Sequence, residues 1–241
     1  MRDVWDNGLD LGQPLWRYVK AERFAQLMES SLVHFAAATQ FIDPFEGAVA
    51  VLAPDFPVDP RYAEMDHTER AFYRLKRLTK INCWHRSDYE SDAMWKLYAG
   101  QGKGVAICST PERMLAAFRP FRLKPEYGVE DLWGGAIRYE DLLQVRLKPS
   151  MLNRFFYKHR AFEWEREFRL AITVRNAEEF GVPVPDLGIE VAVDVDALVE
   201  RIVLGPALST SEVETIAAHA EKAGLKKRVV KSGLLGRPRY T

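Results

Sequence analysis

The two glutamates of Glu165-Arg166-Glu167 stand two positions apart ahead of the apolar run FRLAI, and on a strand that spacing sets both carboxylates on one face. Like charges on one face demand solvent, a cationic partner such as Arg169, or a functional cleft, because an uncompensated carboxylate is costly to bury. This pair is the strongest candidate for chemistry in the chain. His85, between Trp84 and Arg86, is a candidate general base, since imidazole titrates near neutrality. Asp43 and Glu46 flank Pro44 in FIDPFEG, where organising a turn is the first expectation. With His85, Glu165 and Glu167 they also form an oxygen-rich set of the kind a magnesium-dependent nuclease uses, although no spacing among them matches a nuclease signature. Trp84, Trp95 and Tyr98 offer ring faces for stacking. Trp95 and Tyr98 lie three apart on one helical face, which points first to core packing.

The elements that must position these groups follow from periodicity. Ser87-x-x-Glu90 reads as a capping box, and Met94, Trp95, Leu97 and Tyr98 keep a helical spacing, so a helix is predicted over 88–99. Gly100, Gly102 and Gly104 end it. Val105 to Ser109 reads as a strand, and Thr110-Pro111 as the cap and first residue of another helix. Leu15 to Val19 is a predicted strand carrying Arg17 and Tyr18, followed by a helix ending near Ser31 and a strand from Val33 to Phe35. Residues 54–62 read as proline-rich loop, 64–80 as a helix, and 119–135 as irregular. The remaining predictions are a strand from Ala136, an aromatic helix over 152–164, a strand over 167–174, strands at 189–193, 202–204 and 228–231, and a helix over 211–223. About seven strands and six helices without long linkers or repeats imply one α+β domain over 1–241, with mostly antiparallel sheet flanked by helices.

Composition narrows the function classes. The chain has 241 residues, long enough for a sizeable core, and its 34 basic and 34 acidic residues cancel. A neutral chain is not built chiefly to coat nucleic acid or an anionic membrane. The basic stretches RLKRLTK, KHR, KKRVVK and GRPRY would still suit a nucleic-acid or protein interaction module if they converged on one face. Cys83 and Cys108 lack zinc-site or redox-motif spacing and read as small buried hydrophobes. The N-terminus shows no signal pattern, and no apolar run approaches the ~20 residues of a membrane span, so a cytoplasmic protein without a membrane partner is expected.

Five segments in order, FIDPFEG, CWHRSDYESDAMWKLYA with GVAICST, FEWEREFRL, IVLGP, and SGLLGRPRY, resemble a widespread bacterial domain family for which no activity is established; the resemblance runs from Leu15 to Tyr240. That resemblance suggests a setting beside mobile elements and defence genes, and hence a toxin or phage-defence effector with an antitoxin or neighbouring defence protein as partner.

Three further signatures are similar to those of the ADP-ribosyltransferase fold of the Arg-Ser-Glu type: Arg17 on a strand before a helix, Ser109-Thr110 closing a strand, and Glu165-x-Glu167 opening one. The similarity implies NAD as substrate and a nucleic-acid or protein acceptor. It assigns Arg17, beside Tyr18, to a dinucleotide phosphate, Ser109 to the ribose, and Glu167 with Glu165 to the bond that releases nicotinamide, with His85 at the site and Trp84, Trp95 or Tyr98 stacking on a ring.

Overall fold

The computed structural model describes residues 1–49 and 65–235. The proline-rich stretch 54–62, the predicted helix start at Glu64 and the closing GRPRY lie outside the described residues. The fold is α+β with mostly antiparallel strand pairing. It divides into two compact units, each assembled from three stretches: Met1–Gly8, His34–Cys83 and Pro120–Glu190 in the first, and Leu9–Val33, Trp84–Arg119 and Val191–Thr241 in the second.

In the first unit the strand Glu167–Thr173 runs antiparallel to Leu132–Ala136, whose other edge takes the short N-terminal strand Arg2–Asp3 in parallel. The strand that starts at Thr79 follows in the sheet order, and its Lys80 and Ile81 pair with Ala37 and Ala36. Glu167–Thr173 is buried along nearly its whole length, with Phe168, Leu170, Ala171 and Ile172 apolar, Glu167 at its start and Arg169 within it. Val4, Ala38, Ile81, Ile137, Phe155, Phe156 and Ala171 form the core around it. A separate parallel pair, Arg138–Glu140 with Tyr157–His159, sets Tyr139 opposite Lys158 and Glu140 opposite His159.

The second unit is built on Gly104–Ser109, every residue of which is buried. Leu15–Lys20 flanks it antiparallel on one side and Arg201–Leu204 on the other, and Val229–Lys231 joins Arg201–Leu204 in parallel. The helices Ala21–Ser30 and Thr210–Lys222 pack on one another. Thr110 caps Pro111–Ala117 by accepting from the Arg113 N–H at 3.2 Å, the expected role for that Thr-Pro pair. Among the described residues no helix is long and apolar enough to cross a membrane.

Five local expectations are corrected. The helix predicted over 88–99 is Asp92–Tyr98, capped by Ser91, whose hydroxyl accepts from Met94 N–H. The Ser87–Glu90 box does not form because the Glu90 carboxylate is drawn to Trp95 Nε1 at 3.0 Å, the Ser232 hydroxyl and the Gly233 N–H. Helix 64–80 ends at Leu78, and Thr79–Arg86 is a strand. Two polar residues disguise that strand: Lys80 donates to the Pro185 carbonyl at 2.6 Å, and Asn82 to the His34 carbonyl at 2.8 Å. The aromatic helix over 152–164 is replaced by 3-10 turns Asn153–Phe156 and Arg160–Glu165 around the strand Tyr157–His159, where tertiary pairing overrides a helical period. The single strand expected from Ala136 is two, one ending at Ala136 and the next beginning at Arg138, and the tail of 119–135 is already strand from Leu132.

Candidate functional site

Arg169 is fully buried, and a guanidinium in that setting must use all five of its N–H groups. It does so. Nε donates to Glu167 Oε1 at 2.7 Å, and Nη2 serves Glu167 Oε2 at 3.1 Å and Glu46 Oε2 at 3.2 Å. Nη1 serves Glu46 Oε1 at 2.6 Å and the Phe155 carbonyl. Phe41 lies 5.5 Å from the guanidinium carbon. Two carboxylates from segments 121 positions apart are thus held by one fork, the bidentate geometry that lysine cannot reproduce.

The network continues through Lys158, whose ammonium bonds Glu165 and lies 3.5 Å from Glu167 Oε2. Glu165 and Glu167 therefore meet on one cation, but not by strand alternation. Glu165 closes a 3-10 turn, Arg166 takes a left-handed backbone at φ 43°, and only then does the strand begin. Tyr139, opposite Lys158, accepts the Glu167 backbone N–H at 2.7 Å. The cluster counts three carboxylates against two cations, all within the first unit.

Burial alone would raise the Glu167 carboxyl, but Arg169 and Lys158 outweigh it and bring it from 4.5 down to about 2. Burial pushes Glu46 upward, against the pull of Arg169. The Cys83 thiol, hydrogen-bonded to Glu167, is also pushed up by burial, which keeps it a neutral donor. A carboxyl whose folded pKa is depressed contributes stability that is present above the unfolded value and lost as pH falls through the folded one. Stability measured by urea unfolding should therefore fall between about pH 4.5 and about pH 2, and Glu167→Gln should flatten that slope. An unchanged slope in the variant would show that Glu167 is not the group titrating there.

Glu46 arrives on the FIDPFEG loop, whose shape is local. Asp43 Oδ1 accepts from the Phe45 N–H at 2.9 Å, closing the expected turn. Gly47 has φ 75°, and a Cβ there would sit 2.6 Å from the Phe155 ring, so both conformation and space require glycine. Glu46 closes that turn, its N–H donating to the Asp43 carbonyl at 3.1 Å, and its carboxylate is in addition the anchor on Arg169. Beside the cluster, His159 stacks on Phe45 at 5.3 Å and accepts the Ala161 N–H on Nδ1. That bond places the proton of the neutral ring on Nε2, which lies 3.7 Å from Asp141 Oδ1.

The other sequence candidates belong to the second unit. Arg17 sits 5.9 Å from the ring centre of buried Trp84. The Tyr18 hydroxyl accepts from the Ser91 N–H at 2.9 Å, and its ring meets Trp95 edge-on at 5.0 Å and His85 at 6.3 Å. Trp95 is 1 % exposed and belongs to the core with Trp16, Tyr18 and Met94. Tyr98, expected beside it, is 45 % exposed. Ser109 is buried and donates to the Leu198 carbonyl at 2.7 Å, so its hydroxyl is committed to backbone. The structure thus gathers Glu165, Glu167 and Glu46 in one unit and the Arg17–Trp84 and Tyr18–Trp95–His85 contacts in the other. Lys158, Asp141 and His159 escaped sequence reasoning, because a KHR tripeptide reads as surface charge until its strand pairing is known. Among the described residues no three metal-ligating side chains are grouped for a metal ion. The glutamates proposed for magnesium bind Lys158 and Arg169 instead.

No protein-family model, curated protein or solved structure matches this chain.

Proposed function

We propose that this protein is an NAD-consuming, ADP-ribosyltransferase-like enzyme of the cytoplasm, acting on a nucleic-acid or protein acceptor, in the setting of a toxin or defence effector. The observation that supports it most is the pairing of Glu165 with Glu167 around Lys158, with Glu167 held ionised far below neutrality. NAD supplies a ribosyl C–N bond that breaks with the electron pair leaving on nicotinamide. The protein's part is a fixed negative charge opposite the ribose as positive charge develops there, and a carboxylate that never protonates at working pH suits that role better than proton transfer. Glu165 and Lys158, with 10 % and 7 % of their side chains exposed, are the least buried members of the cluster. The 3-10 turn over them carries exposed Trp164 and half-buried Phe162, rings on which a planar leaving group can stack. Ser109, bonded to Leu198, has no part in this reading.

A second reading, a non-catalytic interaction module, is favoured by a specific observation: both oxygens of Glu46 and both of Glu167 already accept hydrogen bonds from cations. Incubation with adenylate-labelled NAD, cell lysate and EDTA separates the two. Label entering protein or nucleic acid supports the transferase. Salt-dependent binding without label transfer supports the module, and cleavage of nucleic acid only when magnesium replaces EDTA supports a nuclease.

A further inference from the structure

A cleft of about 690 Å³ opens in the first unit, a volume typical of small-molecule sites. Val49, Phe72, Leu75 and Met151 give it apolar walls, and three arginines reach it. Two of these are already matched: Arg74 pairs with Glu178 at 2.6 Å, and Arg175 with Glu179 at 2.7 Å.

Arg154 differs. Its Nε donates to the Gly47 carbonyl at 2.8 Å, and its guanidinium carbon lies 4.8 Å from the centre of the Phe72 ring. Those contacts fix the plane of the guanidinium and leave Nη1 and Nη2 with no acceptor among the described residues. No carboxylate among the described residues offsets its charge, and burial accordingly lowers its pKa. The carbonyl that orients it is itself immobilised, since Gly47 is pinned against Phe155 and the neighbouring Glu46 is clamped by Arg169. A half-buried cation, held in place before any ligand arrives and facing apolar walls, has the form of a receptor for one anionic head.

We propose that this cleft binds a small organic anion: an apolar or aromatic body in contact with Phe72, Leu75 and Met151, and one carboxylate or phosphate head on Nη1 and Nη2 of Arg154. With Glu178 and Glu179 spent on Arg74 and Arg175, Arg154 is the cation of this lining left to a ligand, which suits one anionic head rather than the several charges of a nucleic acid or a dinucleotide pyrophosphate. The site is separate from the Glu165–Glu167 pair and does not depend on the transferase reading.

Calorimetric titration of the full chain with 4-phenylbutyrate, 4-phenylbutyl phosphate and neutral 4-phenylbutanol tests this. At least one anion should bind saturably and more tightly than the alcohol, and the stronger of the two identifies the head group. Arg154→Gln should weaken that anion by about tenfold or more, the loss of one charge-assisted pair, while leaving the alcohol unchanged. Should that variant fail to fold, Ala71→Trp, at an exposed helix position on the cleft wall, should fill the cleft and abolish anion binding with the melting curve retained. Absence of saturable binding by either anion overturns the proposal, as does binding no tighter than the alcohol or binding that either folded variant leaves intact.

Discussion

Replacing Arg169 by methionine is expected to destabilise the first unit by about 3–5 kcal/mol, the cost of breaking a buried ion pair by removing one partner. The magnitude follows from what is left behind. Glu167 would be left almost fully enclosed with Lys158 at 3.5 Å as its nearest remaining cation, and Glu46, whose carboxyl burial already pushes up, would lose the guanidinium that opposes that push. Arg169→Lys should recover only part of the loss, because three donors on a point charge replace a planar fork that satisfies two carboxylates and a carbonyl. Neutralising all three partners with apolar residues should recover more than the lysine does, since the penalty lies in uncompensated charge rather than in lost packing. Denaturant melts of the three variants give the order directly, and a loss under about 1 kcal/mol for Arg169→Met would remove the network from the account of stability.

Trp95→Ala is the counterpart in the second unit, with an expected loss of about 3–5 kcal/mol for emptying a large aromatic site in a core. Three contacts are lost together: the edge-on meeting with Tyr18, the packing against Met94 and Trp16, and the bond from Nε1 to Glu90. Glu90 also receives Ser232 and the Gly233 N–H, so losing its indole partner should loosen the segment that returns through residue 233. A chemical melt read by far-ultraviolet circular dichroism checks the stability. Hydrogen exchange at Gly233 checks the coupling, and unchanged protection there would show that Glu90 holds the segment without Trp95.

The same residues show where sequence reasoning holds and where it stops. Thr110-Pro111 and the strands around Arg17 and Val105 were legible because capping and β-pattern are local signals. The Glu165–Glu167 pair and its Arg169 partner were legible for a related reason, since all three lie within five positions. Glu46 was not. Nothing within its own heptad distinguishes a turn residue from an anchor whose partner is 123 positions away. Lys158 and His159 were hidden by a wrong element: an aromatic run with helical spacing became strand because Arg138–Glu140 offered it a ladder, and that pairing is invisible to periodicity. Ser87 and Glu90 fit a capping box in sequence, yet a buried indole N–H competed for the glutamate and moved the helix start to Asp92. The outcome was set by a distant guanidinium for Glu46, a strand edge for Lys158 and His159, and an indole N–H for Glu90, none of which a local pattern encodes.

The central functional claim is that Glu167 supplies a fixed negative charge to an NAD-cleaving site, and the most direct measurement is nicotinamide release by wild type and Glu167→Gln at neutral pH, normalised to folded protein. Normalisation matters because the amide disturbs the Arg169 network as well as the charge. The account predicts measurable release by wild type and a loss of about 10²–10³-fold in the variant, the usual size of a removed transition-state electrostatic contact. Equal rates per folded molecule in the two proteins, or no release by the wild type in the presence of lysate acceptors, would contradict it.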